Sequence, residues 1–230
     1  MRVLLFGATG RTGQHLAALA RKAGLSVHAA GRDPERLANL AEGTGNSVID
    51  AADPAAVETL VRTRSPDAVV SLIGGAAGDG FVDESGNIAI ADAARAAGVR
   101  RVVQVSSLGC GDSRAFASER LLAAIGAVLE AKTRAEDHLR RLDLDWTIIR
   151  PGGLTDGEPT GNGALYEDPR VHGRIARADL ASLIIACLAA EGTVRKVLSA
   201  VDRATLSGPE EVRGEVRLQP DKTPLAAKGT

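Results

Sequence analysis

The chain has 230 residues, 44% hydrophobic and 25% charged, with 28 basic against 29 acidic side chains. Balanced charge and an aromatic content of 2% exclude a basic face or a base-stacking platform, so no nucleic acid is expected as a partner. Cys110 and Cys187 match no metal or disulfide spacing and no apolar stretch is long enough to span a bilayer, so the sequence predicts no metal, no membrane partner and a cytoplasmic protein.

Short apolar, β-branched runs recur along the chain: residues 3–6 (VLLF), 26–30 (SVHAA), 47–49 (SVI), 68–73 (AVVSLI), 101–106 (RVVQVS) and 146–150 (WTIIR). Continuous rather than alternating apolar character predicts strands buried on both faces. Helical patterns lie between them, at 11–23 before Gly24, 34–42 before Gly43, 54–64, 84–97 before Gly98, and a long stretch at 118–142. Pro34 and Pro54 each follow an aspartate, which suits a capping residue ahead of a first-turn proline, and the closing glycines suit a left-handed exit. Strict alternation of this kind predicts an α/β fold, a Rossmann-type doubly wound parallel sheet in one compact domain.

Beyond residue 150 the pattern changes. PGGLTDGEPTGNG (151–163) reads as a loop, followed by a helix at 179–190 and a strand at 196–201. This divides residues 1–203 into a cofactor half, 1–150, and a region of substrate loops with the last helix and strand, 151–203. The polar remainder, 204–230, is a loose tail or an added edge strand through EVRGEVRL.

FGATGRTG (6–13) joins the first strand to the first helix. In such a turn Gly7 permits the sharp reversal, Gly10 lets backbone approach a pyrophosphate, and Gly13 lets the helix pack closely while its amides face the anion. Thr9 and Thr12 add hydroxyl donors. A glycine triplet alone is weak evidence for a nucleotide site, but its place inside a βαβ unit strengthens it. The second strand ends in Gly31-Arg32-Asp33, where a ribose 2′ position is read. Arg32, with Arg11 reaching over from the glycine loop, is expected to clamp a 2′-phosphate and so select NADP(H), with NAD(H) possible; the alternative is that Asp33 takes a free hydroxyl and both arginines are solvated. Asp50 is placed either to accept from an adenine amine or to cap the turn before Pro54. Leu72, Ile73 and Gly74 end the fourth strand beside the expected adenosine.

These residues, together with VVQVSSLG, EAKTRAEDHLRRLDLDWTIIRPGGLTDGEPTG and RIARADLA, resemble the atypical short-chain dehydrogenase/reductases. Within them the chain is similar to the group of biliverdin reductase B (flavin reductase) and the NmrA-like proteins, over residues 1 to about 200. The resemblance implies a cofactor along the carboxyl edge of the sheet and a small-molecule substrate under the loops at 74–86, 107–118 and 152–176. It implies that Lys132 binds the nicotinamide ribose, that Ser106 or Ser107 contacts substrate or nicotinamide, and that Pro151 and Gly152 bring backbone against the carboxamide. The usual proton-donating tyrosine, four residues before the lysine, is replaced by Val128. Gly152 also stands where the biliverdin-reducing members carry a histidine.

Two functions follow. One is an NADPH-dependent oxidoreductase passing hydride to a small planar acceptor such as a flavin or quinone, for which water can supply protons. The other is a non-catalytic NADP(H) sensor of the NmrA-like type, which alone requires a protein partner. A sugar-nucleotide epimerase fits poorly because the region after 150 is short. Among isolated residues, Tyr166 is read as packing ahead of a substitute acid, Cys110 as a loop thiol with nothing nearby in sequence to activate it, and Phe81 as either a loop anchor or a cover for the nicotinamide. His15, His28, His138 and His172 show no ligand spacing and no adjacent nucleophile and are read as surface or strand-end residues, with His172 alone also weighed for the active site.

Overall fold

The computed structural model describes residues 1–77, 80–209, 211 and 214–218. Its centre is an eight-stranded sheet built from β1 (Arg2–Phe6), β2 (Ser26–Gly31), β3 (Gly45–Val48), β4 (Ala68–Ser71), β7 (Arg101–Val105), β8 (Asp145–Pro151), β10 (Gly163–Tyr166) and β12 (Lys196–Asp202). The order is β10-β12-β8-β7-β4-β1-β2-β3, parallel throughout except for β10, which runs antiparallel to β12 at one edge. The chain leaves β1 in one direction and enters β4 on its other side. The sheet therefore switches direction beside Phe6 and Ser71, which opens a crevice above the carboxyl ends of those strands.

The continuous apolar runs are explained by two cores. On one face Val3 and Leu5 of β1, Val70 of β4, Val103 of β7 and Ile149 of β8 pack under α1 (Arg11–Lys22) and α6 (Arg177–Ala189) through Leu16, Ala17, Leu180 and Ile184. On the other, Leu4 and Phe6, Val69, Val102 and Ile148 lie under α3 (Pro54–Arg64), α4 (Val82–Ala96) and α5 (Glu119–Arg141) through Val57, Val61, Ile90 and Leu139. Alternate residues of one strand thus enter opposite cores, each large aliphatic side chain contributing roughly 1.5–3 kcal/mol on burial.

Helix starts follow their caps. Asp33 accepts from the Arg36 amide at 3.0 Å before Pro34 of α2 (Pro34–Ala38), and Asp53 accepts from Ala55 and Ala56 at 3.0 and 3.1 Å before Pro54. Ser118 caps α5 through Leu121. The second helix is shorter than its pattern predicts, ending at Ala38 instead of 42. Asn39 closes it, and the Leu40 amide turns back to the Leu37 carbonyl at 3.2 Å, which directs Leu40 against the core.

The stretch after 150 departs most from expectation. What reads as a loop holds β9 (Gly153–Thr155), which pairs in parallel with β11 (Arg174–Ala176), and the run leads into β10. Their partners lie about twenty to forty residues away, so no local pattern announces them. Two short strands, β5 (Ala76–Ala77) and β6 (Gly80–Phe81), form a hairpin after β4. Of the expected edge strand at 211–218, the structure holds one antiparallel bridge, Tyr166 with Glu215, and the Val216 amide donating to the Leu165 carbonyl at 2.9 Å. Residues 212, 213 and 219–230 lie outside the described residues. Among those described, no helix is long and apolar enough to cross a membrane.

Candidate functional site

The glycine turn after β1 closes onto the end of β4. Gly7 has φ +80°, and a Cβ on it would lie 2.9 Å from the Leu72 carbonyl carbon. A Cβ on Gly13 would overlap the Gly7 carbonyl oxygen, so only glycine lets α1 sit this close to the turn. Gly10, the capping residue of α1, offers no side chain to the first-turn amides, and that turn contains no acidic residue. The positive end of α1 therefore stays open, a cradle fitted to a dinucleotide pyrophosphate.

A cleft of about 700 Å³ opens beside this turn. Gly7, Gly10, Arg11, Thr12 and Gly13 line one part of it, and Ser106, Ser107, Lys132, Pro151 and Gly152 another. A narrower arm of about 200 Å³ is lined by Thr9, Arg32, Arg36 and Asp50. Leu72, Ile73 and Gly74 border both. Every residue expected to hold the cofactor or touch substrate therefore borders one of two adjoining spaces along the carboxyl edge of the sheet.

The arginines are placed differently from the sequence expectation. Arg11 is not brought to Arg32: its Nη1 donates to Asp156 Oδ2 at 2.5 Å, and it borders the larger cleft only. Arg36 shares the narrow arm with Arg32 instead, its Nη2 donating to the Thr9 carbonyl at 2.5 Å. The sequence signal for Arg36 was available, since a residue three beyond the Asp33 cap returns toward the strand end. Asp33 itself is committed to capping α2. Asp50 accepts from the Ala52 amide at 3.0 Å, a turn bond that leaves its second oxygen for other partners.

Behind the larger cleft lies a polar cluster. Lys132 Nζ meets Asp83 Oδ1 at 2.5 Å, and Asp83 Oδ2 accepts from the Gly75 amide at 2.7 Å. Asn87 donates to the Asp83 carbonyl at 2.8 Å and accepts from Ser71 Oγ at 2.6 Å. Asp83 is buried in the first turn of α4, and nothing in its sequence neighbourhood marks it as the lysine's partner. Ser106 Oγ is buried against the Cys110 thiol, whereas Ser107 Oγ donates to the Leu108 carbonyl at 2.9 Å. Gly152 donates to the Ala200 carbonyl at 2.9 Å, and a Cβ there would overlap the Gly173 carbonyl oxygen. No side chain larger than hydrogen fits at that position.

The loop after β7 is tied down by a buried ion pair. Arg150 donates from Nε and Nη2 to the two carboxylate oxygens of Glu136 at 3.1 and 2.6 Å, and from Nη1 to Asp112. These acids hold the Arg150 guanidinium above its usual range against the opposing effect of burial. The same loop carries Ser106, Ser107 and Cys110. Burial, with the Glu136 charge adding to it, pushes the Cys110 thiol up, which disfavours the thiolate and any nucleophilic role.

His172, the one histidine weighed for the site, borders the cleft, and further cleft residues went unnoticed in the sequence. Leu121 and Ile125 face it from α5, where Ile125 breaks the helix with φ −138° and ψ 19°; Leu154 and Arg177 reach it from the segments after β8. Val128 lies on the same helix face, three residues after Ile125 and four before Lys132. Tyr166 is buried on β10 among Leu108, Val171 and Val201, its phenol raised by burial and then by the Glu215 charge. Phe81 starts α4 at its cap and is half-buried. His15 is exposed, His28 meets Ser47 Oγ at 2.9 Å and His138 meets Asp92 at 2.9 Å.

Comparison with known proteins agrees with this geometry. Residues 7–191 match the model of the NAD(P)H-binding family. The solved anaerobillin reductase ChuY of Escherichia coli O157:H7 is 36% identical, covers 88% of this chain and 98% of its own, and superposes with a TM-score of 0.81. A protein of Bacillus subtilis strain 168 named as an uncharacterized sugar epimerase is 29% identical over 211 residues, 89% of this chain and 96% of its own. A short-chain dehydrogenase/reductase of Veillonella parvula in complex with NADP shares the fold, with 19% identity, 91% and 99% coverage and a TM-score of 0.70.

Proposed function

Because this chain belongs to the NAD(P)H-binding family, within the atypical short-chain dehydrogenase/reductases, we propose that it is an NADPH-dependent reductase that passes hydride to a small planar acceptor such as a flavin or a quinone. The observation that carries this reading is the open cleft of about 700 Å³ continuing from the glycine turn past Lys132 to Pro151. Either reading needs the part beside the glycine turn for the dinucleotide, and the apolar part bordered by Leu108, Leu121, Ile125 and Leu154 supports an acceptor beside it.

Bound along this edge, the dinucleotide would supply hydride from its reduced ring. The α1 amides and Thr12 would hold the pyrophosphate, and Arg32 with Arg36 would grip the 2′-phosphate by charge-assisted bonds. Lys132, steadied by Asp83, would donate to the nicotinamide ribose. Ser106, at the cleft wall beside the Cys110 thiol, would contact the acceptor or the carboxamide. Leu108, Leu121, Ile125 and Leu154 provide apolar walls suited to a flat ring and exclude water while it is oriented.

No tyrosine borders the cleft, and Val128 stands one turn before Lys132. Carbonyl reduction requires a proton at the oxygen as hydride arrives, whereas a reduced flavin or quinone takes its protons from water. This favours the latter class. Steady-state assays with NADPH against FMN, riboflavin, a benzoquinone and an aldehyde test the proposal. Turnover with flavin or quinone and none with aldehyde is expected. Tight NADPH binding without turnover of any acceptor would instead favour a redox sensor with a protein partner.

A further inference from the structure

Arg11 and Arg177 come from opposite ends of the chain, yet both end on one carboxylate. Arg11 Nη1 donates to Asp156 Oδ2 at 2.5 Å and Arg177 Nη1 to Asp156 Oδ1 at 2.6 Å. Both arginines border the larger cleft, and Asp156 does not. The two guanidiniums are held differently: Arg177, at the first position of α6, keeps only 12% of its side chain exposed, while Arg11 keeps 67%. Arg177 is thus a buried donor at the wall and Arg11 an exposed one at the rim.

We infer that Arg11 and Arg177 form a binding subsite for an acidic group, phosphate or carboxylate, on the acceptor, and that Asp156 occupies this subsite when the acceptor is absent. Two guanidiniums converging on two oxygens of one anion match the fork geometry by which arginine recognises carboxylate and phosphate. Among the described residues, those bordering the cleft include Arg11, Lys132, His172 and Arg177 and no aspartate or glutamate. Lys132 is already neutralised by Asp83, so the arginine pair is where the cleft has positive charge to offer.

Asp156 is built to leave. Its side chain is 56% exposed, and ion pairs so exposed to solvent are weak and readily exchanged. The chain is anchored on both sides of it. Before it, Thr155 pairs within β9; after it, the Thr160 and Gly161 amides donate to Asp179 at 2.8 and 3.0 Å. Between these anchors Gly157, Glu158 and Pro159 are exposed. Swinging the carboxylate outward therefore breaks the two ion pairs and none of those anchoring hydrogen bonds.

The dinucleotide's own pyrophosphate is the other possible anion near Arg11, and the two are separable. Calorimetric titration of FMN and of riboflavin, which share a ring and differ in the phosphate, into protein saturated with NADP⁺ tests the subsite. The inference rests on the reductase reading only for its choice of flavin as probe, and binding is measured in place of turnover. Asp156→Asn is expected to tighten FMN about threefold or more and Arg177→Gln to weaken it about tenfold, as loss of a charge-assisted pair implies, with riboflavin moving less than about twofold in both. Asp156→Asn, at an exposed position and with a gain in affinity, guards against a folding artefact. The subsite is overturned if both flavins shift together, if neither binds, or if the affinity for NADP⁺ itself shifts in place of that for FMN. Selective FMN binding without turnover would leave the subsite standing while removing the reductase reading.

Discussion

Lys132 and Asp83 form a pair 2.5 Å apart in which the acid is 1% exposed and the base 15%. The carboxylate is fixed by the Gly75 amide, so it aims the ammonium at the cleft rather than the reverse. A lysine on a flexible stem becomes a directed donor only through such a partner.

Asp83→Asn keeps an acceptor for Gly75 but removes the charge facing Lys132. We expect kcat/KM with NADPH to fall about tenfold, close to 1.4 kcal/mol. Lys132→Met should give a similar loss, and the double variant no more than the larger single one. Additive losses in that cycle would mean that the two residues act independently.

Arg32→Ala and Arg36→Ala are each expected to weaken NADPH by about 1.5–3 kcal/mol, roughly 10- to 150-fold, with NADH little changed. Arg11→Ala should leave the ratio of NADPH to NADH affinity where it was. Fluorescence titration with both dinucleotides distinguishes the arrangement in the narrow arm from a clamp that includes Arg11.

Glu136→Ala removes the buried bidentate partner of Arg150 and leaves its guanidinium with the exposed Asp112. Breaking such a pair from one side costs about 3–5 kcal/mol. Thermal unfolding should move down on the order of 10 °C for a domain of this size. A less firmly held Arg150 should also loosen its bond to Asp112 on the loop after β7 and raise KM for the acceptor. A variant with unchanged Tm would show that the ion pair contributes little.

His28 carries a pKa lowered by burial and then by the Arg64 charge. Protonation is easier in the unfolded chain, so the stability this residue contributes is present above about pH 6.5 and is lost as the pH falls below that value toward the lowered folded pKa. Urea unfolding at pH 7.5 and pH 5.5 should therefore show a smaller acid loss in His28→Gln than in the parent. Equal losses would assign the acid sensitivity to other groups.

Local chemistry made much of this molecule legible in advance. The run at residues 3–6 had to be a two-faced strand because each of Val3, Leu4, Leu5 and Phe6 is apolar, and Asp33-Pro34 and Asp53-Pro54 announced helix starts because cap and proline each satisfy a local backbone need. The glycine turn was equally readable, since Gly7 and Gly13 permit contacts that any side chain would prevent. The alternation of elements then left a doubly wound sheet as the arrangement that buries both faces.

Tertiary structure decided what no neighbour in sequence encodes. β9 and β11 exist by pairing with each other across about twenty residues, Asp83 finds Lys132 from another helix, and Arg11 meets a carboxylate 145 residues along the chain rather than Arg32. Charged side chains reach partners through space, and backbone hydrogen bonds of short strands are satisfied by whichever strand lies alongside. Residue type and spacing therefore determined where the glycine turn would form, while the packing of α6 and the strands after β8 against it decided which charges face the cleft.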